Sequence, residues 1–477
     1  MQYKDAFNYI NSFTNYEQTP GLSSDLNEDG LERVRLLLRL LGRPQHCFKS
    51  IVVAGTKGKG SVAAMLDSVL REEGYRTGLY TSPHLHTFRE RIRVGGDMIS
   101  PGDVARITEK LVPVVERIRA LGDPNLLPTT YELATAIAFL YFQERDVQYA
   151  VLEVGLGGRL DAVNVVTPVV SAITSISMDH MEVLGDTLPK IAAEKAGIIK
   201  PNGRVVSAPQ QEEAMEVLVQ VAGRHRADMI VIGREVYIGT GHLPEVVSDD
   251  MGVPIYQSFT LSFEEAWGTS AGRLRVRLPL LGNHQQVNAA VALAVLLVLK
   301  EDGADLGRDA ILNGLAGVSW PGRLEVVKRE PTVVVDGAHN VESIAKLGQA
   351  IADLFPKQQA VVVFGTSREK DLPGILDELR TWTDGISGPT VERLIVTRSR
   401  HPRAADPREV ANAASALGLQ AEFREDVSSA LGQAEAYVAQ LARADRLDPV
   451  VLVTGSLFVV AEAREIYGLA PDLSEEA

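Results

Sequence analysis

The chain has 477 residues, of which 45% are hydrophobic and 23% charged, and this composition is typical of a globular protein with two or three domains. Its net charge of −14 argues against nucleic-acid binding as a global property, because proteins that bind nucleic acids usually present a clustered basic face. The segment 1–19 is polar and does not have the pattern of a signal peptide, and the longest apolar run, Ala289–Leu299, is too short to span a membrane. The single cysteine, Cys47, fits a reducing compartment. We therefore expect a cytoplasmic protein without nucleic-acid or membrane partners.

Strands and helices alternate in the first half of the chain. Leu31–Leu41 predicts an amphipathic helix, Ser50–Ala54 a buried strand, and Ser61–Glu73 a helix that ends before Gly74. In chain order, the further predictions are strand Thr77–Thr81, a helix from Ser100 to near Gly122, helix Tyr131–Glu144, strands Tyr149–Val154 and Val169–Ile176, helix Asp186–Ile198, and strand Arg204–Ser207. Alternation of this kind predicts a largely parallel sheet with helices on both faces.

The second half of the chain contains an irregular stretch and then a second α/β series. Val236–Thr269 breaks the alternation and is interpreted as an insertion or an antiparallel excursion, whereas Asn283–Lys300 predicts a long helix. Strands of the second series are predicted at Thr332–Asp336, Ala360–Gly365, Arg393–Thr397, Ala421–Arg424 and Pro449–Thr454. We therefore predict an α/β protein with a first domain at residues 1–318, built on a mostly parallel sheet, and a smaller Rossmann-like C-terminal domain at residues 319–477.

A glycine-rich loop lies between the first predicted strand and the helix that follows it. Backbone N–H groups of such a loop converge on phosphate oxygens, and the helix N-terminus adds its positive dipole end. We expect Lys59 to reach the β- and γ-phosphates, and Gly60 displaces to Ser61 the hydroxyl that usually follows this lysine directly. The predicted ATP-binding residues of the loop are Gly55, Thr56, Lys57, Gly58, Lys59, Gly60 and Ser61. The loop predicts that the domain at residues 1–318 is a P-loop-type ATPase domain.

Nine motifs along the chain carry a resemblance to a known family. The loop alone does not identify the reaction, because a regulatory ATPase carries such a loop too. The whole series resembles the folylpolyglutamate synthase and dihydrofolate synthase family, a branch of the ATP-dependent Mur-type ligases, over about residues 30–465. The motifs are G-T-K-G-K-G-S at 55–61, T-S-P-H-L at 81–85 with R-E-R-I at 89–92, E-V-G-L-G-G-R-L-D at 153–161, D-H at 179–180, E-K-A-G-I at 194–198, G-N-H-Q at 282–285, W-P-G-R at 320–323, D-G-A-H-N at 336–340 and T-G-S-L at 454–457.

The resemblance implies a ligation through an acyl phosphate. A folate or dihydropteroate carboxylate attacks the γ-phosphate of ATP, and the amino group of L-glutamate then displaces phosphate, giving an amide, ADP and phosphate. Catalysis of this kind depends on positioning and charge neutralisation. We expect an acid–amino-acid ligase that acts as a monomer on ATP, L-glutamate and a reduced folate or dihydropteroate. A Mur-type ligase acting on a peptidoglycan precursor and a P-loop regulatory ATPase remain alternatives.

By the same resemblance, the catalytic residues are Lys59, Glu153, His180 and Lys195. Ser82, Glu153 and His180 are expected to hold one Mg²⁺ ion, and Lys195, carbamylated by CO₂, a second. Taken alone, His180 is more often a loop histidine, and Lys195 a surface lysine paired with an acid.

The remaining expected contacts concern the nucleotide and the acceptor substrate. The resemblance assigns nucleotide contacts to Asn288, Arg323, Asp336 and His339, of which the last two face either the nucleotide or the incoming amino acid. It assigns substrate contacts to Thr129, Tyr131, Asp161 and Ser456. An aspartate accepts hydrogen bonds from a pterin and a tyrosine stacks on its ring, but a tyrosine here is equally well an ordinary core aromatic.

Two positions depart from the family's pattern. Lys57 stands where asparagine is usual, and it adds a positive charge beside the expected phosphates. Val163 replaces a threonine two residues after Asp161, which weakens the assignment of contacts to the pterin.

Overall fold

Helices and strands alternate along most of the chain in the computed structural model, which describes residues 1–15, 29–239, 245–264, 272–356, 359–382, 388–443 and 449–476. The helices are α1 (Tyr3–Asn11), α2 (Asp29–Leu40), α3 (Lys59–Glu72), α4 (Pro101–Arg119), α5 (Thr130–Glu144), α6 (Met181–Leu184), α7 (Leu188–Ala196), α8 (Glu212–His225), α9 (Asn283–Glu301), α10 (Arg308–Ala316), α11 (Val341–Leu354), α12 (Leu372–Thr381), α13 (Pro407–Ala416), α14 (Val427–Arg443) and α15 (Leu457–Ile466). The strands are β1 (Lys49–Ala54), β2 (Thr77–Tyr80), β3 (Ile92–Val94), β4 (Asp97–Met98), β5 (Tyr149–Glu153), β6 (Val170–Ile173), β7 (Arg204–Ser207), β8 (Asp228–Val231), β9 (Val236–Ile238), β10 (Glu245–Ser248), β11 (Pro254–Phe263), β12 (Gly272–Leu278), β13 (Glu325–Arg329), β14 (Thr332–Val335), β15 (Gln359–Phe364), β16 (Thr390–Val396), β17 (Ala421–Phe423) and β18 (Val450–Thr454).

The larger sheet has β1 near its centre, in the strand order β4-β3-β2-β5-β1-β6-β7-β8. Neighbouring strands from β2 to β8 pair in parallel, and β3 and β4 add an antiparallel edge. β1 is buried over Ser50–Ala54, as a central strand covered on both faces requires. Because β1 lies between β5 and β6, the loops after these three strands meet at one edge, where open α/β sheets bind ligands.

Side chains of β1 point alternately into two separate cores. Ile51 and Val53 belong to the core that includes α3 and α9, whereas Val52 and Ala54 belong to the core that includes α4 and α5. Since successive residues of a strand face opposite sides of the sheet, both faces are covered by helices. The predicted α/β class with a mostly parallel sheet is confirmed.

A four-stranded antiparallel sheet occupies the stretch that breaks the α/β alternation. Its order is β10-β11-β12, with β9 beside β11. In β12, the buried residues Leu274, Val276 and Leu278 alternate with exposed arginines and pack into the core that includes α9. For the described residues, the interpretation of 236–269 as an antiparallel excursion is confirmed; positions 240–244 and 265–269 lie outside them.

The second parallel sheet has the order β13-β14-β18-β15-β16-β17, in which only β13 is antiparallel to its neighbour. The loops after β14, β18, β15 and β16 therefore meet at one edge of this sheet. The Rossmann-like C-terminal prediction is confirmed in its strands. The domain boundary between residues 318 and 319 stays a prediction, and it falls between α10 and β13.

Two predicted elements are shorter than expected. Helix Asp186–Ile198 is wrong at both ends: α7 begins at Leu188, and Gly185, with φ of 103°, ends the separate short helix α6 before it. Strand Val169–Ile176 is reduced to β6, because the chain after it turns toward the glycine-rich loop. No described helix combines the length and the apolar composition that a bilayer span requires.

Candidate active site

The glycine-rich loop leaves β1 at the carboxyl edge of the larger sheet and enters α3 at Lys59. Gly55 has φ of 145°, and a Cβ atom there would lie 1.8 Å from Oγ1 of Thr174, so the position requires glycine. The N–H of Thr56 donates to the carbonyl of Ser175 at 2.8 Å, which ties the loop to the end of β6. Nζ of Lys59 donates to the carbonyl of Gly55 at 3.2 Å and so lies against the loop.

Helix α9 and the linker, which is the segment 317–324 between α10 and β13, cover the outer side of this loop. A Cβ atom on Gly58 would lie 2.4 Å from Oδ1 of Asn288, and one on Gly60 would lie 2.8 Å from the ring of Trp320. Nδ2 of Asn288 donates to Oε1 of Gln285 at 2.9 Å. The Gln285 amide in turn donates to the hydroxyl of Ser61 at 3.2 Å. The structure thus places Asn288 against the loop, and it adds Gln285 of the G-N-H-Q motif and Trp320 of the W-P-G-R motif, to which the sequence analysis assigned no contact.

The carboxylate of Glu153 ends β5 beside the loop and is buried. Its Oε2 accepts from the N–H of Ser82 at 3.1 Å. Burial raises the pKa of Glu153, and the charge of Lys59 opposes this effect. A buried carboxylate next to a serine offers the oxygen ligands that Mg²⁺ prefers, so these two residues fit a magnesium ion.

His180 is less well placed than Glu153 and Ser82 to form a metal site in advance of binding. Its side chain is 52% exposed, and its backbone, with φ of 50°, precedes α6. Within the described ranges, no three histidine, cysteine, aspartate or glutamate side chains group as a metal site would require.

Lys195 lies buried on α7, and its Nζ donates to the carbonyl of Gly55 at 2.9 Å. Burial, with the charge of Lys59 as a further cause, lowers the pKa of Lys195 to about 7. A large fraction of this amine is therefore uncharged near neutral pH, and an uncharged amine is a nucleophile.

Lys57 connects the phosphate loop to the second sheet. Its Nζ donates to Oδ2 of Asp179 at 2.9 Å and lies 3.4 Å from Nε2 of His339. The side-chain amide of Asn340 donates to the same Asp179 oxygen at 3.4 Å. Burial raises the pKa of Asp179, but the charges of Lys57, His180 and Lys370, with Lys57 the largest of them, together outweigh this effect and hold that pKa well below its usual range. The D-H motif thus supplies the partner of Lys57.

Asp336 is half-buried directly after β14, where it holds the start of the second sheet together. Its two carboxylate oxygens accept from the N–H groups of Leu324 at 2.9 Å and Ala338 at 2.8 Å. Burial raises the pKa of Asp336, and the charge of Arg323 opposes this effect. Nη1 of Arg323 donates to the carbonyl of Gly322 at 3.1 Å. Their nucleotide contacts stay predictions.

The expected pterin residues form a network with the backbone. Asp161 accepts from the N–H groups of Gly155 at 2.9 Å, Leu156 at 3.1 Å and Val163 at 3.0 Å. The hydroxyl of Tyr131 donates to Asp161 at 3.4 Å and accepts from the N–H of Gly155 at 3.1 Å. These bonds order the loop after β5, and they occupy acceptor sites that a pterin would otherwise use.

Thr129 and Ser456 are N-terminal caps of helices. Oγ1 of Thr129 accepts from the N–H of Glu132 at 3.2 Å, and the Glu132 carboxylate accepts from the N–H of Thr129 at 2.8 Å. Oγ of Ser456 accepts from the N–H of Phe458 at 3.2 Å. Capping explains both residues without a ligand, so their substrate contacts stay predictions.

Two domain families match the chain. The Mur ligase middle domain matches residues 53–296, and the Mur ligase glutamate ligase domain matches residues 322–457. The first match contains the phosphate loop, Glu153 and Lys195, and the second contains His339.

Relatives and solved structures extend the match to nearly the whole chain. The dihydrofolate synthase/folylpolyglutamate synthase of Bacillus subtilis is 33% identical over 97% of this chain and 98% of its own length. A probable bifunctional folylpolyglutamate synthase/dihydropteroate synthase of Haloferax volcanii is 35% identical over 97% of this chain, which spans half the length of that protein.

Among solved structures, Mycobacterium tuberculosis folylpolyglutamate synthase complexed with ADP has a TM-score of 0.84 at 33% identity, covering 98% of this chain and 99% of that chain. An FPGS–AMPPCP–folate complex has a TM-score of 0.77 at 29% identity, with the same coverage of 98% and 99%. The chain therefore belongs to the folylpolyglutamate synthase and dihydrofolate synthase family of ATP-dependent Mur-type ligases.

Proposed function

We propose that the chain ligates L-glutamate to the carboxylate of a reduced folate or of dihydropteroate, through an acyl phosphate and with release of ADP and phosphate. The main support is the charged group at the phosphate loop: Lys59 and Lys195 both donate to the carbonyl of Gly55, next to the buried Glu153. The ammonium of Lys59 neutralises part of the charge of the two anions that meet when a carboxylate attacks the γ-phosphate. The B. subtilis relative carries both synthase names, and the AMPPCP–folate complex supports ATP and folate as substrates.

Each charged residue has a distinct role in this proposal. Lys59 exchanges its bond to Gly55 for one to the β- and γ-phosphate oxygens. Ser82 and Glu153 hold a Mg²⁺ ion, with His180 as a further ligand; when bound, the ion adds positive charge at the phosphate oxygens. Asn288, Arg323, Asp336 and His339 approach the nucleotide from α9, the linker and the second sheet.

Lys195 is proposed to carry a carbamate. Its uncharged Nζ attacks the carbon of CO₂, a C–N bond forms as one C=O π bond opens onto its oxygen, and one amine proton passes to solvent. The resulting anion would offer oxygens to a second Mg²⁺ ion. A carbamate signal in the ¹³C spectrum of protein equilibrated with ¹³C-bicarbonate, absent in Lys195→Met, tests this step; full activity with an unmodified Lys195 would exclude it.

The acceptor carboxylate is proposed to lie on the first domain, near Tyr131 and Asp161, and glutamate to arrive from the second, near Ser456. Closing the cleft between residues 1–318 and 319–477 then excludes water from the acyl phosphate. The cytoplasmic location and the monomeric state stay predictions.

The test is phosphate release with dihydropteroate, tetrahydrofolate or a UDP-muramoyl acceptor, each with and without L-glutamate. The proposal expects release that depends on glutamate with one or both pterin acceptors. Release with the UDP-muramoyl acceptor alone would favour a peptidoglycan ligase. A rate of ATP hydrolysis that is the same with and without every acceptor would favour a regulatory ATPase.

A further inference from the structure

Arg464 is a buried arginine on α15, with an exposure of 7%. Among the described residues, the other buried arginines are Arg89 and Arg91, which belong to residues 1–318. Burying a charged group costs free energy, and the ion pair that compensates this cost often adds no net stability. A role in fixing geometry therefore accounts for Arg464 better than a contribution to stability does.

The guanidinium of Arg464 contacts two distant parts of the chain. Its Nε donates to Oε2 of Glu325 at 2.9 Å, and its Nη1 lies 3.0 Å from Nε2 of His86, 378 positions earlier. Because a guanidinium can only donate, Nε2 of His86 accepts and Nδ1 carries the proton. Burial lowers the pKa of His86, so the ring is uncharged at neutral pH, as an acceptor for Arg464 has to be. The His86 side chain is 1% exposed, so this contact is shielded from solvent.

The three residues of this contact each adjoin a different motif of the proposed active site. The motifs belong to the loop after β2, to the linker and to the start of α15. The contact therefore joins segments that are far apart in the chain. In chain order, His86 follows T-S-P-H-L at 81–85, Glu325 follows W-P-G-R at 320–323, and Arg464 lies on the helix that begins within T-G-S-L at 454–457.

On the linker side, Glu325 connects Arg464 to Arg323. The Oε2 atom of Glu325 that accepts from Arg464 also accepts from the N–H of Gly322 at 2.7 Å. The carbonyl of Gly322 accepts from Nη1 of Arg323 at 3.1 Å and from the N–H of Gly337 at 3.1 Å. Arg464 thus orients the turn from which Arg323 is proposed to reach the nucleotide.

On the other side, His86 belongs to an ordered segment that begins near Ser82. The carboxylate of Glu90 accepts from the N–H groups of Leu85 at 2.8 Å and His86 at 2.9 Å. Only four positions separate His86 from Ser82, which is a proposed ligand of the magnesium ion. A displacement of His86 is therefore transmitted along this segment to Ser82.

Apolar packing joins the same three segments. A Cβ atom on Gly322 would lie 3.1 Å from Cγ1 of Val460 and 3.6 Å from Cδ1 of Leu85. Val460 lies one turn before Arg464 on α15. The linker therefore passes between α15 and the loop after β2 with little free space, next to the polar contact of Arg464.

We propose that Arg464 is a positioning residue for the ligation. Through His86 it fixes the loop after β2, which bears Ser82. Through Glu325 it fixes the linker, which bears Arg323. This inference rests on the proposed function, because the groups that Arg464 positions are those assigned to that reaction.

The first experiment compares two replacements of His86, the acceptor for Arg464. In His86→Gln, Oε1 of glutamine takes the place of Nε2, whereas His86→Leu has no acceptor. We expect kcat to fall about tenfold in His86→Leu and to stay within about twofold of the wild-type value in His86→Gln, because misplaced reacting groups lower the rate. The KM for the pterin acceptor does not change, since that substrate is proposed to bind near Tyr131 and Asp161. Equal kcat values in the two variants overturn the positioning role.

Arg464→Met removes both polar contacts at once and is expected to lower kcat about 10- to 100-fold. Arg380→Met is the matched control, since Arg380 also follows the linker, pairs with Asp377 at 2.9 Å and is 49% exposed. Its kcat stays at the wild-type value. A kcat of Arg464→Met that equals that of the control overturns the proposal.

Hydrogen–deuterium exchange of the protein without substrates tests the contact separately from the reaction. In Arg464→Met, we expect amides in residues 82–87 and 320–324 to exchange about tenfold faster than in the wild type, because both segments lose a fixed partner. In Arg380→Met they exchange as in the wild type. Unchanged exchange in both segments of Arg464→Met overturns the inference. A wild-type protein that ligates no glutamate, but in which Arg464→Met still accelerates exchange, overturns the proposed function and not the contact.

Discussion

Nζ of Lys57 lies 3.4 Å from Nε2 of His339, although the two residues are 282 positions apart. Nδ1 of His339 lies 2.7 Å from the carbonyl of Gly337, which can only accept, so Nδ1 carries the proton and Nε2 accepts from Lys57. With Asp179 bound to the same ammonium at 2.9 Å, Lys57 joins the phosphate loop to the second sheet.

Replacing Lys57 therefore weakens the contact between the two sheets. We expect Lys57→Met to lower the free energy of unfolding by about 1–3 kcal/mol, because it leaves the partly buried carboxylate of Asp179 without its cation. Urea unfolding measures this. Lys190→Met is the control, since its ion pair with Asp186 is largely exposed and worth little. Equal losses in the two variants would contradict the expected role of Lys57.

Replacing Glu153 should change activity and stability in opposite directions. Glu153→Gln keeps the acceptor for the N–H of Ser82 but removes a desolvated charge. We expect kcat to fall about 100-fold, because the carboxylate ligand of Mg²⁺ is lost, while the metal-free protein gains about 1–2 kcal/mol of stability.

Thermal unfolding with and without magnesium chloride tests the metal part of this prediction. Magnesium raises the midpoint of the wild type by binding the folded state, and removing it with a chelator reverses the rise. The Glu153→Gln midpoint does not respond. A similar magnesium response in both proteins would place the metal elsewhere.

The sequence predicts the strand, the glycine-rich loop and the helix start within Ser50–Glu73, because these features depend on local residues. It does not predict the bridge from Lys57 to His339, because that contact depends on how two sheets pack. The antiparallel strand at 272–278 carries a visible signal, R-L-R-V-R-L, whose alternation matches its burial.

Stability should depend on pH through Lys200. Its Nζ donates to the carbonyl and the side-chain oxygen of Asn164 at 2.9 and 2.7 Å. Burial lowers the pKa of Lys200 from 10.5 to about 8. Between these values the unfolded chain binds more protons than the folded one, so the free energy of unfolding rises with pH.

Comparison with Lys200→Met isolates this effect. From pH 8 to 10.5, the wild type should gain about 1–2 kcal/mol relative to the variant, after allowance for solvent screening. Below pH 8 the difference between the two proteins is constant, because the lysine is charged in both states. Denaturant unfolding measures the free energy of unfolding of both proteins across this pH range. If that free energy depends on pH in the same way in the two proteins, Lys200 has no such effect.

Position 60, between Lys59 and Ser61, requires glycine because the ring of Trp320 in the linker packs against it. A Cβ atom there would lie 2.8 Å from Cζ2 of Trp320, a bulky ring that has to move away. We expect Gly60→Ala to destabilise the protein by about 1–3 kcal/mol and to raise the KM for ATP, because displacing the ring disturbs the phosphate loop. Gly102→Ala is the matched control, since the nearest atom to its Cβ is the Ser100 hydroxyl oxygen at 3.9 Å.

A double-mutant cycle separates this clash from any intrinsic cost of alanine in the loop. In a Trp320→Leu background the ring atoms near position 60 are gone, so Gly60→Ala should cost at least about 1 kcal/mol less than in the wild type. The KM for ATP should recover in parallel, because the loop regains its conformation. If the two substitutions are additive, the cost of Gly60→Ala is intrinsic to alanine in the loop, and Trp320 has no part in the requirement for glycine.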